Sequence, residues 1–166
     1  MAKPLEEVIG EKLRVHGLRL ALAESCTGGL VGHRLTNVPG SSTYYMGSVT
    51  AYAYEAKVRL LGVSWETLEK NGAVSGETTS EMARGARRSL AADLGLAISG
   101  IAGPGGGTPE KPVGLVWMAL SAPDGLWTRK FNFRGERVAV KEQAAEEALQ
   151  LGIDYLDGNL KGAAKK

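Results

Sequence analysis

The sequence predicts an α/β fold in three layers, an α/β/α sandwich around a mixed, partly parallel sheet. Three observations predict it: short apolar runs alternate with segments of helical spacing, two of those runs end in polar glycine-bearing turns, and a β-hairpin followed by one long helix closes the chain. Parallel strands joined by helices bury both faces of a sheet, and a hairpin adds antiparallel strands to it.

Leu5, Val8, Ile9 and Leu13 recur at helical spacing and Gly17 follows as a stop, so residues near 4 to 16 read as an amphipathic helix. The period then changes. LRLALAES, residues 18 to 25, reads as a buried strand, and TGGLVGHRLTNV opens a helix behind a tight turn. Pro39, Gly40, Ser41 and Ser42 form a loop, after which YYMGSVTAY mixes aromatic and β-branched residues as an extended segment does. Glu55 to Leu61 reads as a short helix, Ser64 and Ser75 as N-caps, and Gly76 to about Ala92 as a longer amphipathic helix. LGLAISG, residues 94 to 100, is a second buried strand and runs into the glycine-rich stretch Gly100 to Gly107. GLVWMALS and LWTRKFNF flank Ala122-Pro123-Asp124-Gly125, residues that suit a hairpin connection. A helix from about Glu136 to Leu156 ends the pattern. With no internal repeat and no linker, one domain over residues 1–166 is expected, with a short basic tail at 158–166 that carries Lys161, Lys165 and Lys166.

Composition narrows the function classes. A chain of 166 residues buries roughly two-thirds of its unfolded surface and needs no covalent staple. Cys26 is the only cysteine, which excludes an intramolecular disulfide and a multi-thiolate zinc site and fits a reducing cytoplasm. The formal charge of +2 is spread along the chain, so the expectation is no nucleic-acid and no membrane partner. Glu6, Glu7 and Glu11 interrupt the apolar run that a signal peptide needs, and no apolar stretch reaches membrane-spanning length.

Two polar segments follow buried strands, Ser25-Cys26-Thr27-Gly28-Gly29 and Ser99 to Gly107. Open α/β sheets bind ligands at the carboxyl ends of their strands, so the two are candidates to line one cleft. Neither is a nucleotide fingerprint: the first lacks a Gly-Lys-Ser/Thr ending, and the second has Thr108 where the last glycine of G-x-G-x-x-G would fall. Ser25 admits two readings. It presents its hydroxyl to a cleft as a nucleophile, or Ser25 or Thr27 caps the helix that follows. His16 and His33 lie at surface positions of predicted helices, so a Ser-His-Asp triad is not legible. Lys57, close after the tyrosines of AYAYEAKVRLLG, also has two readings: a base neutralised by burial, or an exposed helix lysine paired with a glutamate.

AESCTGG at 23 to 29, AYxxEAKVRLLGV at 51 to 63, GAVS at 72 to 75 and SGIAGPGGGTPEKPVG at 99 to 114 together resemble the competence/damage-inducible CinA C-terminal family of nicotinamide-nucleotide amidases. The likeness runs from about residue 5 to about 155. It implies hydrolysis of the carboxamide of nicotinamide mononucleotide to nicotinate mononucleotide and ammonia, with no metal and no cofactor. It places the serine nucleophile on Ser25, the lysine base on Lys57, and an orienting or proton-relaying tyrosine on Tyr52. Thr27, Gly28 and Gly29 would shape the same pocket, with Gly100 and Gly103 of the second segment. Backbone groups around Met46, Gly47 and Ser48 would meet the amide, and Arg137 would bind the phosphate. The sequence departs from the commoner YSNEAK block by having Ala53 and Tyr54 in place of Ser-Asn, which bears on how Lys57 is held. Many members carry a further N-terminal domain that resembles molybdopterin-binding folds, and this chain starts at the amidase region. The likeness also implies a homo-oligomer, a dimer first. The competing function is a catalytically silent module that binds a nucleotide or a partner in the same cleft, and a third reading is an amidase for another small carboxamide.

Overall fold

The computed structural model describes residues 1–160; the basic tail residues Lys161, Lys165 and Lys166 lie outside them. In chain order the elements are α1 (Leu5–His16), β1 (Leu20–Glu24), α2 (Leu30–Thr36), β2 (Tyr45–Thr50), α3 (Tyr54–Leu61), α4 (Trp65–Asn71), α5 (Gly76–Ser89), β3 (Leu94–Gly100), β4 (Leu115–Ala122), β5 (Gly125–Asn132) and α6 (Arg137–Leu156), with a 3₁₀ turn at Ser41–Thr43. The sheet order is β2-β1-β3-β4-β5. β1 pairs parallel with β2 and β3, whereas β4 and β5 run antiparallel. The expected mixed sheet and hairpin are present, the latter closed by Pro123 and Asp124 between the paired Ala122 and Gly125.

β2 and β3 are added on opposite sides of β1, which sends their connecting helices to opposite faces. Alternation along the buried strands decides what each face receives. Leu20, Leu22, Leu94, Leu96 and Ile98 point with Val116 and Met118 into a core covered by α1, α2 and α6. Ala21, Ala23, Ala97 and Ala119 point the other way, beneath Leu61, Met82, Ala83 and Ala86 of α3 and α5. The small strand residues let α5 lie close to the sheet. Gly85 lets the end of α3 pack equally close to α5, since a Cβ there would stand 2.0 Å from Leu61 O.

Local signals set several boundaries. Gly17 ends α1 with φ 65°, and Ser64 and Ser75 accept from the N–H groups of Thr67 and Thr78 as N-caps. α5 stops at Ser89, three residues before the sequence pattern ends, because Ala91 takes a left-handed φ of 48° to turn the chain into β3. Among the described residues no helix is long and apolar enough to cross a membrane.

Candidate active site

β1 ends in Glu24, and the chain turns through Ser25–Gly29 before α2 begins. Its neighbour β2 leads instead to α3 on the opposite face, which makes the carboxyl ends of the two strands a switch point of the kind where open α/β sheets bind ligands. Gly28 and Gly29 hold φ of 62° and 102°, which residues with a Cβ resist, and the turn reverses there. Ser25 N donates to Ile98 O at 3.0 Å, tying the turn to β3, and Gly28 N donates to Ser25 O at 3.1 Å.

The capping reading of Ser25 fails, because Gly29 is the N-cap of α2 and no side chain bonds from that position. Glu24 performs the task from below. Its Oε1 accepts from Val31 N at 2.9 Å and from the Thr27 hydroxyl at 2.7 Å; its Oε2 accepts from Gly32 N at 3.0 Å and from the Ser48 hydroxyl at 3.3 Å. A fully buried carboxylate with donors on both oxygens is satisfied, and it fixes the turn rigidly to the helix start. Thr27 thus shapes the turn and keeps its hydroxyl on Glu24.

Lys57, 1% exposed, reaches the turn from the first half of α3. Its Nζ lies 2.9 Å from Ser25 Oγ, 2.9 Å from Ala51 O and 3.0 Å from Tyr52 O. No carboxylate pairs with it among the described residues, so burial goes uncompensated and pushes the amine down to about 8, with the neighbouring Cys26 opposing. A neutral amine has two N–H bonds and one lone pair. The two carbonyls take the N–H bonds and leave the lone pair for the Ser25 hydroxyl. Cys26 is no rival nucleophile, since burial pushes its thiol up to about 11.

The depressed Lys57 pKa carries a stability consequence. The unfolded chain keeps this proton up to the ordinary value of 10.5, so between about 8 and 10.5 the unfolded state binds more protons and stability rises with pH. Relative to Lys57→Met, the wild type gains up to about 3 kcal/mol across that window, at roughly 1.4 kcal/mol per pKa unit. Urea titrations of both proteins at its two ends measure the difference directly; a constant offset would mean an unshifted lysine.

Other expected residues fall less simply. Tyr52 is 63% exposed and its hydroxyl accepts from Arg137 Nη2 at 3.0 Å; only its backbone carbonyl meets Lys57. The expected contact of the phenol with Ser25 is absent. Tyr54 is likewise exposed, with its hydroxyl accepting from Ala73 N at 3.3 Å, so neither ring supplies the burial of Lys57. Ala53 is the N-cap of α3 and offers no side-chain cap, where a serine would contribute about 1 kcal/mol. The Ala53-Tyr54 departure therefore bears on the helix start and leaves the three contacts of the Lys57 amine untouched.

Arg137, at the first position of α6, also donates from Nη1 to Gly103 O at 2.7 Å. Its guanidinium thus ties the loop after β3 to Tyr52. A cavity of about 560 Å³, lined by Ala102, Pro104, Val113 and Arg137 among others, opens beside it. Gly100 ends β3 level with this region, and a Cβ there would stand 2.6 Å from Val116 Cγ2. Met46 and Gly47 lie away from the turn. They sit early in β2, Gly47 level with Ala21, about 10 Å along the strand from its end, and a Cβ on Gly47 would face Leu90. Only Ser48 of that trio connects to the turn, through Glu24. A cavity of about 630 Å³ between α5 and the hairpin contains none of the expected residues.

Sequence reasoning missed two groups. Glu24 carried a signal, as a carboxylate closing an otherwise apolar strand. Lys141 lies one turn after Arg137 on α6, and its Nζ stands 3.7 Å from where a Cβ of Gly28 would be. It makes no ion pair among the described residues.

The chain matches the CinA C-terminal domain over residues 2–156. It is 55% identical over 158 residues to a competence-damage inducible protein of Halothermothrix orenii, covering 95% of this chain and 38% of that protein. A CinA-like protein of Desulfotalea psychrophila is 45% identical, with coverage of 92% and 37%. The chain thus spans under two-fifths of the length of these curated relatives. Among solved structures, the competence/damage inducible protein CihA of Agrobacterium tumefaciens superposes with a TM-score of 0.89 at 36% identity, covering 95% of this chain and 99% of that one. A CinA superfamily protein of Escherichia coli gives 0.86 at 34% identity, covering 90% and 88%. With its five-stranded mixed sheet and these four motif blocks, the chain belongs to the CinA C-terminal domain family.

Proposed function

We propose that this domain hydrolyses the carboxamide of nicotinamide mononucleotide to nicotinate mononucleotide and ammonia by a Ser25–Lys57 mechanism, within pyridine-nucleotide recycling. The observation that carries the reading is the Lys57 amine, buried with no carboxylate paired to it among the described residues, with two carbonyl acceptors and Ser25 Oγ at 2.9 Å. A lysine held this way is suited to accept a proton, which a structural ion pair is not.

In the proposed reaction Ser25 Oγ attacks the amide carbon as its proton passes to Lys57 Nζ. The N–H groups of Cys26, Thr27 and Gly29 have no backbone acceptor and are the candidate donors to the oxyanion. Lys57 then gives the proton to the departing nitrogen, ammonia leaves, and an ester remains on Ser25. Water attacks that ester while Lys57 takes its proton and returns it to Ser25 Oγ, which releases the nicotinate product. No step calls for a metal or an added cofactor.

Lys141 supports an anionic substrate. Its unpaired ammonium stands over the Gly28 turn, whereas Arg137 is already engaged by Tyr52 and Gly103, so the phosphate should rest chiefly on Lys141. Ammonia release by the purified protein, with EDTA present, tests the reaction. Nicotinamide mononucleotide should turn over with kcat/KM at least about a hundredfold above that of free nicotinamide, and Lys141→Ala should raise KM about tenfold with kcat little changed. Equal kcat/KM for the two substrates would remove the phosphate from the argument. Absence of ammonia from every carboxamide supplied would leave the binding-module reading standing.

A further inference from the structure

The opposite end of the sheet, where β3 begins and β4 ends, carries a second polar concavity. Arg84, Arg87 and Arg88 occur at positions i, i+3 and i+4 of α5 and share one face near its C-terminus. With Ala91, Ala92 and Ser121 they line a cavity of about 280 Å³. None of the three guanidiniums forms an ion pair among the described residues. Nearby carboxylates are engaged elsewhere: Glu81, one turn before Arg84, accepts from Ser64 N at 3.2 Å, Asp93 accepts from Arg19 N at 2.7 Å, and Asp124 accepts from the Tyr155 hydroxyl at 2.7 Å. The one hydrogen bond from the trio is a long one, from Arg88 Nη2 to Leu61 O at 3.3 Å.

Cations near a helix C-terminus are favoured by its dipole, and that alone would explain basic residues here. It does not explain Ser121. This residue points to the α5 side of β4, as Ala119 does two positions earlier, and is 4% exposed. It lines the cavity, and its hydroxyl, unlike the enclosed unpartnered Tyr44 hydroxyl and Trp127 Nε1, stays open to whatever occupies that space. A hydroxyl open to the cavity can donate to an anion bound there. Ala91, held at φ 48°, leaves only a methyl group at the rim, where a larger side chain would fill the space.

We propose that this cavity binds the diphosphate group of a small molecule, with oxygens on the guanidiniums of Arg84, Arg87 and Arg88 and a further hydrogen bond from Ser121. Guanidinium forks match phosphoryl geometry in pairs of N–H bonds, and three of them suit a diphosphate's charge better than a single phosphate's. The volume accommodates the diphosphate and leaves any attached group outside. The site lies at the opposite end of the strands from Ser25, so its occupancy is separable from the proposed reaction.

Calorimetric titration of the full chain with inorganic pyrophosphate and with adenosine diphosphate tests this. Using Lys141→Ala protein removes the other anion site from the measurement. One saturable site is expected, weakened at least about tenfold in Arg84→Gln/Arg87→Gln and several-fold in Ser121→Ala, with melting temperatures unchanged. Arg87→Lys, which keeps the charge and loses the fork, should also weaken it. Tighter binding of adenosine diphosphate would identify a nucleotide as the source, tighter binding of pyrophosphate the free anion, and either supports the site. Failure of both to bind, or an affinity unmoved by the arginine pair, overturns it. Should the double variant not fold, Arg88→Gln and Ser121→Ala singly decide the question: unchanged affinity in both, on folded protein, overturns the proposal equally.

Discussion

Lys57→Arg is expected to lower kcat on nicotinamide mononucleotide about a thousandfold or more, in a protein that still folds by circular dichroism. Arginine keeps a positive charge at the position but holds its proton at any working pH, so it cannot take one from Ser25. Lys57→Met, close to lysine in volume, guards against a loss caused by crowding and should fall as far. Ser25→Ala should be equally damaging, and adding it to either lysine variant should cost little more, because nucleophile and base act as one unit. The pH profile follows from the direction of the shift. Burial places the Lys57 amine near 8, and the active form is the neutral one. The wild-type kcat/KM should therefore rise about tenfold per pH unit below that value and level off above it. A lysine variant with near-wild-type kcat would make Lys57 a structural residue and the proposed mechanism wrong.

Glu24→Gln should cost about 2–4 kcal/mol of stability and at least about tenfold in kcat, with KM less affected. Both Glu24 oxygens accept, from two backbone N–H groups and two hydroxyls. A glutamine must turn its amide N–H₂ toward a donor, leaving at least one helix-start N–H of α2 without an acceptor inside the core. The turn it anchors carries Ser25, whose Oγ must stay within hydrogen-bond reach of Lys57 Nζ, so a displacement of about 1 Å is enough to reduce the rate. Thr27→Val, which removes one donor and keeps the shape, should show the same effects in weaker form. Unchanged kcat in a destabilised Glu24→Gln would separate the two roles and leave Glu24 holding the fold alone.

How much of this was legible beforehand depends on the distance over which each cause acts. Gly17, Ser64 and Ser75 acted as the sequence said because a stop or a cap is decided within a few residues. β3 and the hairpin likewise follow from short apolar runs and a two-residue turn. Ser25 and Lys57 stand out through motif resemblance; their own surroundings in the sequence favour a cap and an exposed ion pair instead. The contact of Tyr52 was not legible, since its phenol meets an arginine 85 residues away.

The sequence by itself determined the order and kind of the elements, the mixed sheet and the two glycine-bearing turns, because apolar period and turn chemistry are local. Only the tertiary structure decided which groups meet. Parallel pairing of β2 and β3 with β1 brings the ends of three strands together, and α3 then carries Lys57 under the turn after β1, where carbonyls rather than a carboxylate surround its amine. The same pairing carries Met46 and Gly47 away from that turn, and the docking of α6 brings Lys141 over it. Desolvation and electrostatic partners depend on neighbours from other strands and helices, so the charge state of Lys57 is a property of the assembled sheet and not of the segment that encodes it.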